Sequence, residues 1–382
     1  MAPGTGATSR NWIEPPQNRY GFLHVAELTR TEEISRGETL ASDLARSEHD
    51  LSGFGFDFEG ARISLPELVD GTYTDAMLVL HRGSIAFEYY TDAMAPGDLH
   101  LLMSISKSIV STLCGILVGQ RKLSPGDTVP DHVGELAGTS WHDCTVRQLL
   151  DMRTGTEWKY TADEEHILDV SGYRQHDRTD LPRDTATWIR EIRNARAHGQ
   201  RFRYVSLVAD VLGWVLERAG GAPLPELISE HIWSKIGAEH DADIIVDGSG
   251  LPVAEGGISA SLRDLGRFGQ MCLDTGEVHG TRVVPATWFE GLNRRNHELI
   301  EAFAASPEVD RAWPHAFYHN NWWVYSPDPQ IYAGLGIFGQ VLLIHRPSRS
   351  VVVKLSSQPV AEDPKTMALE RSGLVALCES LA

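Results

Sequence analysis

The chain has 382 residues, 42% of them hydrophobic and 23% charged, which is an ordinary globular composition. This length allows one large domain or two intertwined domains with a substantial core. The formal net charge of −18 makes nucleic acid and membrane surfaces poor partners, because both are anionic. The four cysteines lie far apart in the sequence, which favours buried thiols over disulfides or a metal site.

The N-terminal segment has no basic start followed by an apolar core, and the apolar runs are too short to span a membrane. We therefore expect a soluble cytoplasmic protein. Its oligomeric state is left open, with a homodimer as one option.

The first clear element is a β-hairpin. Residues 76–90 hold two runs of β-forming residues around Arg82-Gly83, which has turn chemistry. In residues 104–119, apolar side chains recur at helical spacing and Gly119 supplies a stop, so a buried central helix is predicted. The first 70 residues give weak signals and are placed only as a wrapping segment.

Helical spacing dominates from about residue 120 to residue 260. The predicted helices there span 146–152, 185–196, 206–219 and 224–236. Another helix is predicted over 261–275, with Ser261 as its N-cap. The tail is different, because three β-rich runs precede a final helix over about 365–381. These runs cover 331–337, 340–345 and 350–356.

This order of elements predicts an α+β fold. An antiparallel sheet built from both ends of the chain, flanked by helices and carrying an inserted all-α domain, accounts for it. We assign residues 1–119 and 261–382 to the α/β domain, and residues 120–260 to the all-α domain.

Ser104 and Lys107 form an S-x-x-K pattern at the start of the central helix, one turn apart on one face. A serine hydroxyl needs an adjacent base to act as a nucleophile, and a lysine can serve when burial lowers its pKa. The pattern alone is weak evidence. Taken alone, it is better explained by an N-capping serine beside a solvated lysine.

Two later segments strengthen the catalytic interpretation. Tyr204-Val205-Ser206 precedes a predicted helix, where a tyrosine could exchange protons with the serine and Ser206 could hold the lysine and the substrate amide. The glycines of 334–339 are costly inside a strand and often mark close approach of a backbone or ligand. The backbone N–H groups of Ser104 and Ile337 are the predicted oxyanion hole.

With these segments the sequence resembles the 6-aminohexanoate-dimer hydrolase (nylon-oligomer hydrolase) group, which is related to family VIII carboxylesterases and class C β-lactamases. The resemblance covers nearly the whole chain and includes His100–Ser108, Tyr204–Trp214, Gly256–Ser259, Gly334–Gln340 and Val353–Ser357. It implies a β-lactamase/penicillin-binding-protein-like fold and acylation at Ser104 followed by attack of water. It also implies roles for Lys107 and Tyr204 in proton transfer, and no metal or organic cofactor.

The sequence departs from this group at several positions. Phe338 stands where the group has histidine, and Glu255 stands where it has an amide or an imidazole. Both are expected to line the pocket, together with Gly336. Tyr160 is the best candidate for the loop tyrosine that closes on the substrate amide. The acidic run 163–165 could attract an amine, although such runs are more often solvated loops.

The predicted activity is hydrolysis of small linear amides or carboxylic esters. Three alternatives remain: transfer of the acyl group to an amine or alcohol, β-lactam chemistry, and binding without catalysis. Gly334-Leu335-Gly336 replaces the K-T-G of β-lactam enzymes, and the intact Ser104, Lys107 and Tyr204 argue against a non-catalytic role.

Overall fold

The computed structural model describes residues 5–306, 315–327 and 330–382, apart from the side chains of residues 160, 161 and 327. Its strands are β1 Thr31–Ile34, β2 Gly55–Phe58, β3 Ala61–Ser64, β4 Thr74–His81, β5 Ser84–Tyr90, β6 His100–Leu101, β7 Ala242–Ile245, β8 Ile258–Ala260, β9 Glu277–Val278, β10 Thr281–Arg282, β11 Phe317–His319, β12 Trp322–Pro327, β13 Gln330–Gly336, β14 Gln340–His345 and β15 Ser350–Ser356.

The helices are α1 Asn18–Gly21, α2 Val25–Leu28, α3 Leu65–Gly71, α4 Ile105–Gly119, α5 Val129–His132, α6 Val146–Leu150, α7 Tyr160–Val170, α8 Thr185–Glu191, α9 Leu207–Gly220, α10 Leu224–Ile228, α11 Leu262–Leu273, α12 Ala286–Glu290, α13 His297–Ala304 and α14 Pro364–Ser380. Short 3₁₀ turns lie at 134–136 and 291–293, and a π-helical turn at 229–233 continues α10. Among the helices of the described ranges, none is long and apolar enough to cross a membrane.

A seven-stranded antiparallel sheet organises the molecule, in the order β11-β12-β13-β14-β15-β4-β5. One face packs on α4 and α11 around a core that includes Leu78, Ile109 and Phe268. The other face packs on α3 and α14 around a second core that includes Val79 and Leu374. Successive side chains of a strand point to opposite faces, so Leu78 and Val79 enter different cores.

The predicted α+β class, with an antiparallel sheet flanked by helices, is confirmed. The predicted hairpin is β4–β5, the central helix is α4, and the three β-rich runs are β13 to β15, followed by α14. Ser261 caps α11, because its side chain accepts a hydrogen bond from the backbone N–H of Asp264.

Other segments differ from the expectation. The predicted all-α segment 120–260 ends in β7 and β8, which pair with β1 and β6 in a separate four-stranded sheet. These strands are short and flanked by polar residues, so their periodicity gives almost no signal. The division into two domains therefore stays a prediction. The expected loop after residue 159 is instead helix α7.

Candidate active site

Ser104 lies where the short strand β6 turns into the buried helix α4. Met103, the residue before it, has a φ of 48°, a left-handed conformation that is costly for a side chain of this size. The Ser104 side chain does not cap the helix. Its Oγ instead accepts a hydrogen bond from Lys107 Nζ at 2.7 Å. The explanation by an N-capping serine and a solvated lysine is therefore wrong.

Lys107 is fully buried, and its ammonium group has anionic partners. Nζ donates to the backbone carbonyl of Glu255, lies 3.5 Å from Glu255 Oε2, and stands 5.1 Å from the centre of the Tyr204 ring. Burial by itself would lower the pKa of Lys107, but attraction to Tyr204 and Glu255 raises the pKa above its ordinary value.

Tyr204 lies on the other side of Ser104. Its hydroxyl is hydrogen-bonded to Ser104 and Lys107, and its ring stacks on Trp323 with the centroids 5.3 Å apart. Burial raises the pKa of Tyr204, and the opposing effects of Lys107 and of the hydrogen bonds do not cancel this rise. Ser104, Lys107 and Tyr204 thus form one hydrogen-bonded group with protons that can move between them.

The turn after β13 brings Ile337 beside Ser104. A Cβ on Gly336 would lie 2.7 Å from the carbonyl oxygen of Leu102 and 2.8 Å from Met103 Cβ, so only glycine fits. The structure therefore contains the close backbone approach that was expected at these glycines. Within the described residues, neither the Ser104 nor the Ile337 backbone N–H donates to a protein acceptor, and both residues border the same cavity.

Three carboxyl groups surround this centre. Asp210 Oδ1 accepts a hydrogen bond from the Glu255 backbone N–H at 3.0 Å. Burial, together with the Glu255 charge, raises the pKa of Asp210 well above its ordinary range. Glu164, which is partly buried, accepts a hydrogen bond from Ser206 Oγ at 2.9 Å. Burial raises the pKa of Glu164 to about 7. Glu255 is therefore the carboxyl group paired with Lys107, while burial beside Glu255 disfavours the charged form of Asp210.

Several expected pocket residues have other roles. Ser206 binds Glu164 rather than Lys107. The side chain of Glu255 contacts Lys107 and is buried away from the cavity. Phe338 adopts a φ of 62° and packs against Phe22 with the ring centroids 5.4 Å apart, because the tight turn directs its side chain inward. The Tyr160 side chain is outside the described residues.

Sequence reasoning missed three contributions. It noted Glu164 only as part of an acidic run and quoted Asp210 only within a motif. It gave no role to Tyr173, whose hydroxyl is hydrogen-bonded to Glu255. Within the described part of the chain, no group of three or more His, Cys, Asp or Glu side chains is arranged to hold a metal ion. The carboxyl groups at this centre face Lys107 instead.

A cavity of about 760 Å³ opens from Ser104, Tyr204 and Ile337. Its walls come from the strands β12 to β14 on one side and from α14 on the other. Cavities of this size accommodate small organic molecules. Ser104 and both free N–H groups thus border a space that a small molecule could enter.

Comparison with known proteins agrees with this geometry. Residues 66–376 match the family model Beta-lactamase. A 6-aminohexanoate-dimer hydrolase of Paenarthrobacter ureafaciens is 34% identical over 95% of this chain and 91% of its own length. A Bacillus anthracis protein assigned as a 6-aminohexanoate-dimer hydrolase superposes with a TM-score of 0.91 at 24% identity, covering 99% of this chain and 98% of its own.

A more distant structure is EstCE1, described as a hydrolase with promiscuous acyltransferase activity. It superposes with a TM-score of 0.61 at 16% identity, covering 83% of this chain and 98% of its own, and so bears on the fold alone. The chain belongs to the β-lactamase family of serine hydrolases and resembles the 6-aminohexanoate-dimer hydrolases within it.

Proposed function

We propose that the protein hydrolyses small linear amides or carboxylic esters through an acyl-enzyme on Ser104. The observation that carries this proposal is the contact of Ser104 Oγ with Lys107 Nζ at 2.7 Å, beside two backbone N–H groups without protein acceptors. The arrangement supplies a nucleophile, a proton-transfer group and a site for the developing oxyanion. The relative from Paenarthrobacter ureafaciens is named for hydrolysis of an amide dimer.

In the proposed acylation, the Lys107–Tyr204 pair has first lost one proton to solvent. Ser104 Oγ then attacks the carbonyl carbon, and its proton passes to this pair. The oxyanion accepts hydrogen bonds from the N–H groups of Ser104 and Ile337. The same proton then protonates the leaving amine or alcohol as the bond to the carbonyl carbon breaks. Water repeats these steps on the ester to release the acid and the free serine.

The experiment that tests the proposal captures the intermediate. The protein is mixed with p-nitrophenyl butyrate, quenched during the first turnover and mapped by peptide mass spectrometry. We expect a butyryl group on Ser104. An adduct on another residue, or turnover with Ser104 never acylated, would contradict the assignment.

Gln340 should matter because it braces the turn that carries Ile337. Its Nε2 donates to the carbonyls of Ile337 at 3.3 Å and Ser356 at 2.7 Å, and its Oε1 accepts from the Ser356 N–H at 2.9 Å. Gln340→Leu keeps the volume and removes these bonds. We expect kcat to fall about 10²-fold with little change in KM, because a displaced oxyanion donor acts in the transition state.

Thermal unfolding of Gln340→Leu separates positioning from stability. A loss of about 1–3 kcal/mol is expected for the unpaired backbone groups. If the folded variant keeps the wild-type kcat and only its unfolding temperature falls, Gln340 has a structural role and does not position the oxyanion donor.

A further inference from the structure

The cavity that begins at Ser104 continues well beyond the reacting groups. It runs over the outer face of the sheet, between Trp323, Leu335 and Leu343 on the strands and Met367 and Ala368 on α14. Most of this wall is hydrocarbon. Leu343 alternates with Leu342 and Ile344, which enter the opposite core, so its place on this face follows from the alternation of side chains along the strand.

Some of the polar groups that border the cavity are already hydrogen-bonded within the protein. Glu370 Oε1 accepts hydrogen bonds from Lys354 Nζ and from Gln358 Nε2, the latter at 2.9 Å. Arg203 donates to the carbonyl of Trp158. Breaking such buried pairs to bind a charged ligand would be costly. An uncharged ligand surface suits these walls better.

Met367 adds a second observation. Its side chain is 40% exposed, and it is one of four large hydrophobic residues that are exposed within the described ranges. A single exposed apolar residue needs no explanation, but this one forms the wall of a cavity that ends at a nucleophile. Covering Met367 would remove apolar surface from water.

We propose that this cavity holds an apolar arm of the substrate, an alkyl or aryl chain joined to the carbonyl group that Ser104 attacks. The inference rests on the proposed function, since it requires the scissile bond to lie at Ser104. Each methylene that enters the cavity should raise kcat/KM by up to about fourfold until the cavity is filled. The substrates are then amides or esters with medium-length hydrocarbon groups.

The test compares p-nitrophenyl acetate, butyrate and octanoate on wild type, Met367→Asp and Leu40→Asp. Leu40 is 88% exposed and borders no part of the cavity, so it is a matched control. We expect kcat/KM to rise with chain length in wild type and in Leu40→Asp. In Met367→Asp the ratio of octanoate to acetate should fall about tenfold, because the loss falls mainly on the longer chain.

A wild-type profile that is flat with chain length, or a loss in Met367→Asp that is equal for acetate and octanoate, would overturn the proposal. Calorimetric titration of the Ser104→Ala variant with sodium octanoate and sodium acetate tests the cavity proposal separately from the proposed function. Octanoate binding that Met367→Asp weakens supports the cavity even if no ester is turned over. Turnover without any preference for octanoate would support the proposed hydrolase function but contradict the proposal of an apolar substrate arm.

Discussion

Ser104→Ala is expected to lower kcat/KM for p-nitrophenyl butyrate by at least about 10⁴-fold, and Lys107→Met by a similar factor. Ser104 Oγ supplies the bond-forming atom, while the 2.7 Å contact to Lys107 Nζ ties that atom to the proton-transfer pair. Neither residue can act without the other, so the double variant should be no slower than the slower single variant. Steady-state kinetics of the four proteins checks this.

The matched control is Ser108→Ala. Ser108 lies on the same helix, is fully buried and donates to the carbonyl of Asn321 at 2.9 Å, away from the reacting groups. It should lose about 1 kcal/mol of stability and keep its activity. Independent, multiplicative losses in the Ser104 and Lys107 variants would show that the two residues do not work as one unit.

Glu255→Gln should move the rising limb of the pH profile of kcat/KM to lower pH by about 1 unit or more. With Lys107 and Tyr204 both protonated, the site has no base, so activity should rise as the pair loses one proton. The carboxylate of Glu255, 3.5 Å from Lys107 Nζ, opposes that loss. Its removal lowers the pKa of the Lys107–Tyr204 pair whichever member acts as the base.

Other ionisable groups near the Lys107–Tyr204 pair make a control variant necessary. Glu164 and Asp210 also face Lys107, and Tyr173 is hydrogen-bonded to Glu255. The pKa of Glu164 is raised to about 7, so Glu164 could produce a limb of its own. Glu164→Gln should remove any limb near that value. An unchanged profile in Glu255→Gln would show that Glu255 does not control the protonation of the pair.

Local sequence patterns were enough to predict the strands β13 to β15 and the helix α4. They were also enough to select the residues around Ser104. The S-x-x-K spacing is a property of one helix turn, so it can be recognised without any knowledge of tertiary structure. The positions of Glu164 and Asp210 around Lys107 were not predictable in this way. They are set by contacts between segments far apart in the chain, which no local period records.

The hairpin β11–β12 was missed although its signal is present. Asn320 and Asn321 join two aromatic-rich strands, and both have positive φ values, 49° and 55°. A two-residue turn with positive φ at both positions is typical of tight hairpins, and asparagine tolerates it well. The Asn-Asn pair between aromatic runs was therefore the readable sign. The π-helical end of α10 has no comparable signature in the sequence.

The contact of Gly336 with the Leu102–Met103 backbone has an evolutionary consequence. It places the end of strand β13, just before Ile337, directly against the turn that precedes Ser104. We therefore expect mutations in α7, in α14 or around Glu255 to alter proton affinity and substrate fit while the arrangement of Ser104 and Ile337 stays unchanged. A lineage built on this contact would vary around it but keep Gly336, because any Cβ there would meet the Leu102 carbonyl and Met103.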